Sequence, residues 1–200
     1  TDRGVRVDGD IDLSALDTSS ISSSVMAVSV AASFGATGGS VSIGVSLSDN
    51  SITSTVEAYA DRTLLDSTKS SINIVARESA SIDASSTATA VAISASVGLS
   101  FAGGGANAYN TIDTTTRAWS GRSGDQLVTN SITGLSELYA AKDITVSALS
   151  ASSANARVRA AAASFGLVAA AAAGTQTRNS MSPVVDAFIK AKKLKHQAQY

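Results

Sequence analysis

Three segments of the chain alternate between apolar and polar residues, at least over their first positions. They begin at Ile11, Ile72 and Ile144 and read Ile-Asp-Leu-Ser-Ala-Leu, Ile-Asn-Ile-Val-Ala-Arg and Ile-Thr-Val-Ser-Ala-Leu. Successive side chains of a strand point to opposite faces, so a period of two is typical of a strand with one buried face. The pattern therefore predicts three equivalent, half-buried strands.

A long segment of uncharged, mostly small residues follows each of these strands, at residues 25–47, 87–109 and 160–177. In the second segment Val91, Ile93 and Leu99 share one parity, and small residues occupy the other. This predicts a strand with a bulky face and a small face, both buried. The third segment contains the run 169–173 of alanines, and alanine is the best helix former. We therefore expect each segment to lie in the interior, either as a doubly buried strand or as an interior α-helix.

A third motif begins with Asn, a hydroxyl residue and a bulky apolar residue. An aromatic residue stands seven positions after each of those apolar residues. The copies are Asn50-Ser51-Ile52 with Tyr59, Asn110-Thr111-Ile112 with Trp119, and Asn179-Ser180-Met181 with Phe188, and a fourth, partial copy is Asn130-Ser131-Ile132 with Tyr139. Such a fixed spacing indicates that the copies occupy equivalent positions. We expect the asparagines to lie at equivalent turns and to stack as a ladder, and the aromatic rings to stack as well.

The three motifs recur together, so we predict one repeat array over residues 1–200. Repeat one covers 11–71, repeat two covers 72–143 with an extension at 121–141, and repeat three covers 144–189; a basic tail follows at 190–200. Fixed registers with variable insertions are typical of stacked repeats. The predicted fold is a β-rich, β-solenoid-like stack whose short half-buried strands surround the uncharged segments, with a turn at residues 35–39.

Composition narrows the functional classes. Hydrophobic residues make up 44% of the chain and aromatic residues only 4%, so the core must be built from small side chains. A net charge of -1 gives no basic footprint for nucleic acid. The absence of cysteine excludes disulfides, thiolate metal sites and a cysteine nucleophile. The chain starts without Met, and we expect it to be a piece of a longer protein.

These motifs resemble the long Ser/Ala/Gly/Val-rich repeats of giant bacterial surface or exported proteins, of the leukotoxin and haemagglutinin-like adhesin type. The resemblance rests on the alternating openings, on Gly-punctuated apolar segments such as residues 97–107, and on the Asn-led motif, and it extends to about Ile189. The Ala-rich third segment and the basic tail depart from it. It implies a non-enzymatic structural segment of a very large secreted or cell-surface protein that mediates cell–cell or surface attachment. The implied partners are neighbouring repeats and another cell or surface.

Candidate chemistry is sparse, and we predict no catalytic, cofactor-binding or metal-binding residue. The only histidine, His196, lies in the basic tail without a second ligand nearby, and we expect that tail to be frayed or partly helical. Asp8, Asp10 and Asp12 alternate beside a glycine, which faintly resembles a calcium-binding turn. A closing glutamate is missing, so a plain acidic turn is the preferred interpretation.

Two further features have structural explanations. The glycines at 103–105 lack the spacing of a phosphate-binding loop and favour close packing or a turn. Glu78, Asp83 and Asp113 are isolated acids without a paired partner.

The uncharged stretch between Asp17 and Asp49 is long enough to cross a bilayer as a helix, for which about 20 residues suffice. The alternative function is therefore a membrane-inserting or pore-forming segment of an exported toxin-like protein, although many Ser, Thr and Gly weigh against membrane insertion.

Overall fold

The computed structural model describes residues 4–95, 97–121 and 136–196, with side chains described as far as Lys190. Within these ranges the chain is all-β and contains no helix. The strands are β1 (Gly4–Val7), β2 (Ile11–Asp17), β3 (Ser20–Ser33), β4 (Ser40–Ala60), β5 (Leu64–Ser67), β6 (Ile72–Glu78), β7 (Ser81–Ser94), β8 (Leu99–Ser120), β9 (Ser136–Ala140), β10 (Ile144–Ser150), β11 (Ser153–Phe165), β12 (Val168–Ile189) and β13 (Ala191–His196).

The strands form four parallel sheets. Sheet A has the order β1-β5-β9-β13, sheet B β2-β6-β10, sheet C β3-β7-β11, and sheet D β4-β8-β12. The chain visits sheets A, B, C and D in this order and then begins again. We call each visit a coil: coil 1 is β1–β4, coil 2 is β5–β8 and coil 3 is β9–β12. Equivalent strands of successive coils are therefore hydrogen-bonded neighbours.

The register between coils confirms the predicted alignment of the repeats. Ile72 pairs with Ile11 on one side and with Ile144 on the other. The Asn-led motifs also align, so that Asn50, Asn110 and Asn179 form one row and the three aromatic residues form another. These asparagines lie inside long strands rather than at turns. The fourth copy differs: residues 130–132 lie outside the described residues, and Tyr139 pairs with Asp66 in sheet A.

The long strands of sheet D divide the molecule into a body and an arm. β4 has 21 residues and β3 has 14, which correspond to about 70 Å and about 46 Å of extended chain. One half of sheet D packs on sheet C, and we call this two-layered part the arm. The other half packs on sheet B and, with sheet A, encloses the body. The core of the body includes Ile72, Ile74 and Leu138. Sheets C and D enclose alanines such as Ala90 and Ala92 in the arm, and isoleucines such as Ile82 and Ile112 where the arm meets the body.

The sequence pattern led us to expect that other strands enclose the uncharged segments, and the structure shows that they do not. They are themselves the strands of the arm, joined at its tip by turns; the first turn lies between Ser33 and Ser40, as predicted. Their alternation is confirmed in coils 1 and 2, where the small face is the more buried one, whereas the residues of β12 in the third segment are exposed on both faces. The bulky face, with Val28 and Ile43, points outward. The prediction of doubly buried segments is therefore wrong, and so is the α-helical alternative.

The Ala-rich third segment forms β11 and β12 because of its neighbours. Each residue of β11, from Ser153 to Phe165, pairs in register with β7, and β12 pairs with β8 over its whole length. These backbone hydrogen bonds and the packing of the arm outweigh the helix propensity of alanine, which amounts to only a few tenths of a kcal/mol per residue. The basic tail also differs from expectation, since Ala191–His196 is a strand that pairs with β9.

Candidate interaction surface

The interior of the arm is very thin. A Cβ atom added to Gly44 would lie 2.8 Å from the carbonyl oxygen of Thr89, and one added to Gly104 would lie 2.8 Å from that of Ala161. Packed sheets are normally about 10 Å apart. The backbones of sheets C and D approach more closely here, which is why the inward positions hold Gly, Ala and Ser. The close-packing role predicted for the glycines at 103–105 is confirmed for Gly104, which lies within a strand.

Serine hydroxyls satisfy one another inside this narrow space. The Ser42 hydroxyl donates to both the hydroxyl and the carbonyl oxygen of Ser29 at 2.9 Å. The hydroxyls of Ser46 and Ser86 are 2.7 Å apart, and both residues are buried. Buried polar groups are costly unless they are hydrogen-bonded. These pairs allow a serine-rich sequence to form the inner faces of two sheets.

An asparagine ladder crosses all three coils where the arm meets the body. The amide nitrogen of Asn50 donates to the side-chain oxygen of Asn110 at 2.9 Å, and the amide nitrogen of Asn110 donates to that of Asn179 at 3.0 Å. The Asn110 nitrogen also donates to the backbone carbonyl of Asn155 in the facing sheet at 3.0 Å. The ladder therefore joins the coils to each other and sheet D to sheet C.

The large apolar side chains of the arm point to solvent on both outer faces. On sheet C, Val28 is 62% exposed, and on sheet D, Ile43 is 68% exposed. The turns at the tip carry further apolar residues, among them Phe34, which is 78% exposed. A continuous apolar patch of this kind usually marks an interaction site. We therefore regard the arm as the candidate interaction surface of the chain.

The outer face of sheet D in the arm has an uneven relief. Coil 1 contributes a row of large aliphatic side chains, which we call the ridge: Val41, Ile43, Val45 and Leu47. Beside Ile43 and Val45, the positions of coils 2 and 3 are small and form what we call the trough: Gly103, Gly105, Ala172 and Gly174. Coil 2 carries larger residues at the two ends of the ridge, with Phe101 beside Val41 and Asn107 beside Leu47. Cγ1 of Ile43 and Cγ2 of Val45 lie 3.9 Å from the positions that a Cβ of Gly103 and Gly105 would take. The ridge thus stands beside an open hollow.

A polar row lies at the end of the apolar part of this face, next to the body. It consists of Asp49 in coil 1, Tyr109 in coil 2 and Arg178 in coil 3, which are aligned across sheet D. The Tyr109 hydroxyl and the side-chain oxygen of Gln176 are 2.8 Å apart. Asp49 and Arg178 are exposed, and among the described residues neither is part of an ion pair. Opposite charges therefore stand at opposite edges of the same face.

The aromatic residues of the Asn-led motifs stack on the outer face of sheet D in the body, as the sequence predicts. The rings of Tyr59 and Trp119 are 4.6 Å apart at an interplanar angle of 5°, and those of Trp119 and Phe188 are 6.1 Å apart at 11°. The ammonium group of Lys190 lies 5.1 Å from the centre of the Phe188 ring. Stacking leaves Trp119 only 4% exposed, so the column stabilises the contacts between coils.

A shallow depression on sheet A is lined by Arg6, Leu64, Asp66, Glu137 and Tyr139. The guanidinium of Arg6 is 2.6 Å from the Asp66 carboxylate, whose second oxygen is buried without a partner. The Tyr139 hydroxyl donates to Glu137 at 3.2 Å. Loss of solvent raises the pKa of Tyr139, and the Glu137 carboxylate adds to the rise. The depression is open, and its described contacts include the Arg6–Asp66 ion pair and the hydrogen bond between Tyr139 and Glu137.

The carboxylates considered as calcium ligands bind to the next coil instead. Asp8 accepts hydrogen bonds from Thr68 and Lys69, Asp10 accepts one from Ser70, and Asp12 accepts one from Asn73. The Lys69 hydrogen bond, with help from Thr68, lowers the pKa of Asp8, and the Ser70 hydroxyl lowers that of Asp10. The described residues contain no group of three or more His, Cys, Asp or Glu side chains that could hold a metal ion.

The three isolated acids have different surroundings. Asp83 lies 4.0 Å from the Arg157 guanidinium, and Asp113 is exposed on sheet D. Glu78 is 2% exposed, and one of its oxygens accepts a hydrogen bond from Ser152 at 3.0 Å and further ones from Ser150 and Thr114. This buried acid links sheet B to sheet D and to the connection between β10 and β11, and its burial was not predicted from the sequence. Its position six residues after Ile72, where repeat one has Asp17, was the available signal. The side chain of His196 lies outside the described residues.

Comparisons with known protein families, curated proteins and solved structures find no match for this chain. No helix that is long and apolar enough to cross a membrane occurs among the described residues. The uncharged stretch between Asp17 and Asp49 forms β3 and β4 of the arm.

Proposed function

We propose that the chain is a β-solenoid segment of a very large bacterial cell-surface or secreted adhesin-like protein. In this role it is non-enzymatic, forms a rigid spacer, and presents the outer faces of its arm for attachment to another cell or surface. Its nearest partners are neighbouring repeats of the same protein.

The observation that carries this proposal is the in-register stacking of three coils. Equivalent strands pair in parallel over their whole length, including the 22 residues of β8 with those of β12. The asparagine ladder and the aromatic column run through all three coils in the same direction. Neighbouring strands of each sheet come from successive coils, which is the quasi-one-dimensional plan of repeat proteins that form long, stiff surfaces.

The proposal is tested on intact producing cells with an antibody raised against the folded chain. We expect labelling of unbroken cells or of the secreted fraction, and we expect the soluble chain to compete with the cells for attachment to surfaces. Labelling that appears only after cell lysis would contradict the proposed location. Attachment that is unchanged by a large excess of the soluble chain would contradict the adhesive role.

The second candidate is a membrane-inserting or pore-forming segment, and the exposed apolar faces of the arm favour it. The tip carries Val97 and Leu167, which are 73% and 74% exposed. The many Ser, Thr and Gly residues of the uncharged segments weigh against it, because polar groups are costly to transfer into hydrocarbon.

Flotation with lipid vesicles separates the two candidates. Insertion predicts that the chain floats with vesicles and that Phe34→Asp, at the tip of the arm, abolishes flotation while Thr53→Asp, outside the arm, does not. A chain that remains at the bottom of the gradient with both zwitterionic and anionic vesicles excludes this candidate.

A further inference from the structure

We propose that the outer face of sheet D in the arm binds the same face of a second copy of this chain, across a two-fold axis parallel to the strands. Such an axis preserves the strand direction and reverses the order of the coils. Coil 1 of one copy therefore faces coil 3 of the other, and coil 2 faces coil 2. Each row of residues aligned across the three coils keeps its position along the strand direction, so it meets the same row of the partner.

The relief of this face is complementary to itself under that operation. The ridge of coil 1 meets the trough side of the partner, so Ile43 faces Ala172 and Val45 faces Gly174 of the second copy. The large side chains on one edge thus enter the hollow left by small residues on the other edge. Every such contact occurs twice, as in all two-fold interfaces. A bulky ridge on all three coils would prevent this approach.

The charges of the face are complementary under the same operation. Asp49 of coil 1 is brought opposite Arg178 of coil 3 in the partner, and the pair forms twice. Tyr109 meets its own copy between the two pairs. Two rows further along the strands, Asp113 lies in the central strand and would meet its own carboxylate. Repulsion there confines the interface to the arm.

The other outer face of the arm lacks this match. On sheet C, Met26 of coil 1 is aligned with Thr87 and with Arg159 of coil 3. The same operation would place an arginine against an apolar side chain, without an acid to pair with it. The geometry therefore selects sheet D as the self-associating face and leaves sheet C as an internal control.

The area indicates a weak dimer. Three strands of nine residues cover about 430 Å² per copy, or about 860 Å² in total, at 4.8 Å between strands and 3.3 Å per residue. Stable interfaces usually bury about 1,600 Å². We therefore expect a reversible dimer that forms at micromolar or higher concentration.

Sedimentation velocity over a concentration series tests the proposal on the intact chain. We expect a monomer–dimer equilibrium in the wild type. Asp49→Arg places two arginines together at both edges of the polar row and should weaken the dimer about tenfold or more. The double variant Asp49→Arg/Arg178→Asp restores the pairs with reversed sign and should recover the association. A dimer that tolerates the single change, or that the double change fails to restore, overturns the proposal.

A disulfide experiment locates the axis, since the chain has no cysteine of its own. Gly105 lies on the axis and has room for a side chain, so Gly105→Cys should give a disulfide-linked dimer on mild oxidation. Val45→Cys, in the same row on coil 1, faces a glycine of the partner and should not. Equal cross-linking of both variants, or of neither, overturns the arrangement.

A matched pair of lysine variants excludes a lipid surface as the occupant. Ile43→Lys on sheet D should weaken the dimer, whereas Val28→Lys on sheet C should leave it unchanged, and circular dichroism checks that both variants fold. A chain that is monomeric throughout but floats with vesicles, with both variants reducing flotation equally, identifies lipid as the occupant and overturns the proposal.

Discussion

Replacing Asn110 by alanine removes the central rung of the asparagine ladder. The substitution deletes three hydrogen bonds, from Asn50, to Asn179 and to the carbonyl oxygen of Asn155. Asn110 is 1% exposed, so the Asn50 amide and the Asn155 carbonyl lose this partner in the interior, whereas Asn179 is exposed. The Asn50 amide retains one acceptor, because it also donates to Ser48 at 3.0 Å.

The expected loss follows from the groups that remain unpaired. Each buried polar group without a partner costs about 1–3 kcal/mol, and the outermost of the three is partly reached by solvent. We therefore expect Asn110→Ala to lower the free energy of unfolding by about 3–5 kcal/mol. That is a large part of the roughly 5–15 kcal/mol that stabilises a typical domain. Asn110→Asp should lower the free energy of unfolding further at neutral pH, since a carboxylate cannot donate a hydrogen bond to the two oxygens that face it.

Equilibrium urea unfolding followed by far-ultraviolet circular dichroism measures the effect. Asn107→Ala is the matched control, because Asn107 lies in the same strand but on its outer face; its midpoint should stay close to that of the wild type. The reasoning is refuted if both alanine variants unfold at the same urea concentration. It is also refuted if Asn110→Asp proves as stable as the wild type at neutral pH.

Three further predictions use the same unfolding assay. Gly104→Val should lower stability by at least about 2 kcal/mol because its side chain meets the backbone of the facing sheet, whereas Gly174→Val has open space and should be tolerated. Trp119→Ala should cost about 3–5 kcal/mol by removing the centre of the aromatic column, and a loss below 1 kcal/mol would contradict the role of stacking. The Ser19 hydroxyl lowers the pKa of Asp17, so this carboxylate stabilises the fold above its ordinary pKa, and the contribution disappears as the pH falls through the lowered value. The difference in midpoint between wild type and Asp17→Asn should therefore shrink from about pH 6 to about pH 2, and a constant difference would refute the assignment.

The period-two alternation was enough to predict strands, and the spacing of the Asn-led motifs was enough to predict their register. Both signals are local or strictly repeated, and Asn110 and Trp119 lie where that register requires. Hydrophobicity alone did not predict which face of each strand in the arm points inward. In the arm, the close approach at Gly44 and Gly104 leaves no room for Val or Ile inside, so the apolar face lies outside. Sheet separation is a property of the tertiary structure, and no single segment reveals it.

Helix propensity failed in the third segment for a related reason. The alanines at 169–173 are good helix formers in isolation, but β8 offers a paired backbone over their full length. The relief of sheet D was hidden as well, because Ile43 and Gly103 are 60 residues apart in the sequence and become neighbours only through the register. Comparing the repeats position by position would have shown large residues in repeat one opposite small ones in repeats two and three.

The aromatic column also supplies the protein with a built-in optical probe. Trp119 is the only tryptophan of the chain, and it lies between a tyrosine of coil 1 and a phenylalanine of coil 3. Its emission therefore responds to separation at either junction. Gradual peeling of an outer coil would shift the emission while most of the strand signal persists, so a single native fluorophore distinguishes stepwise unravelling from all-or-none unfolding.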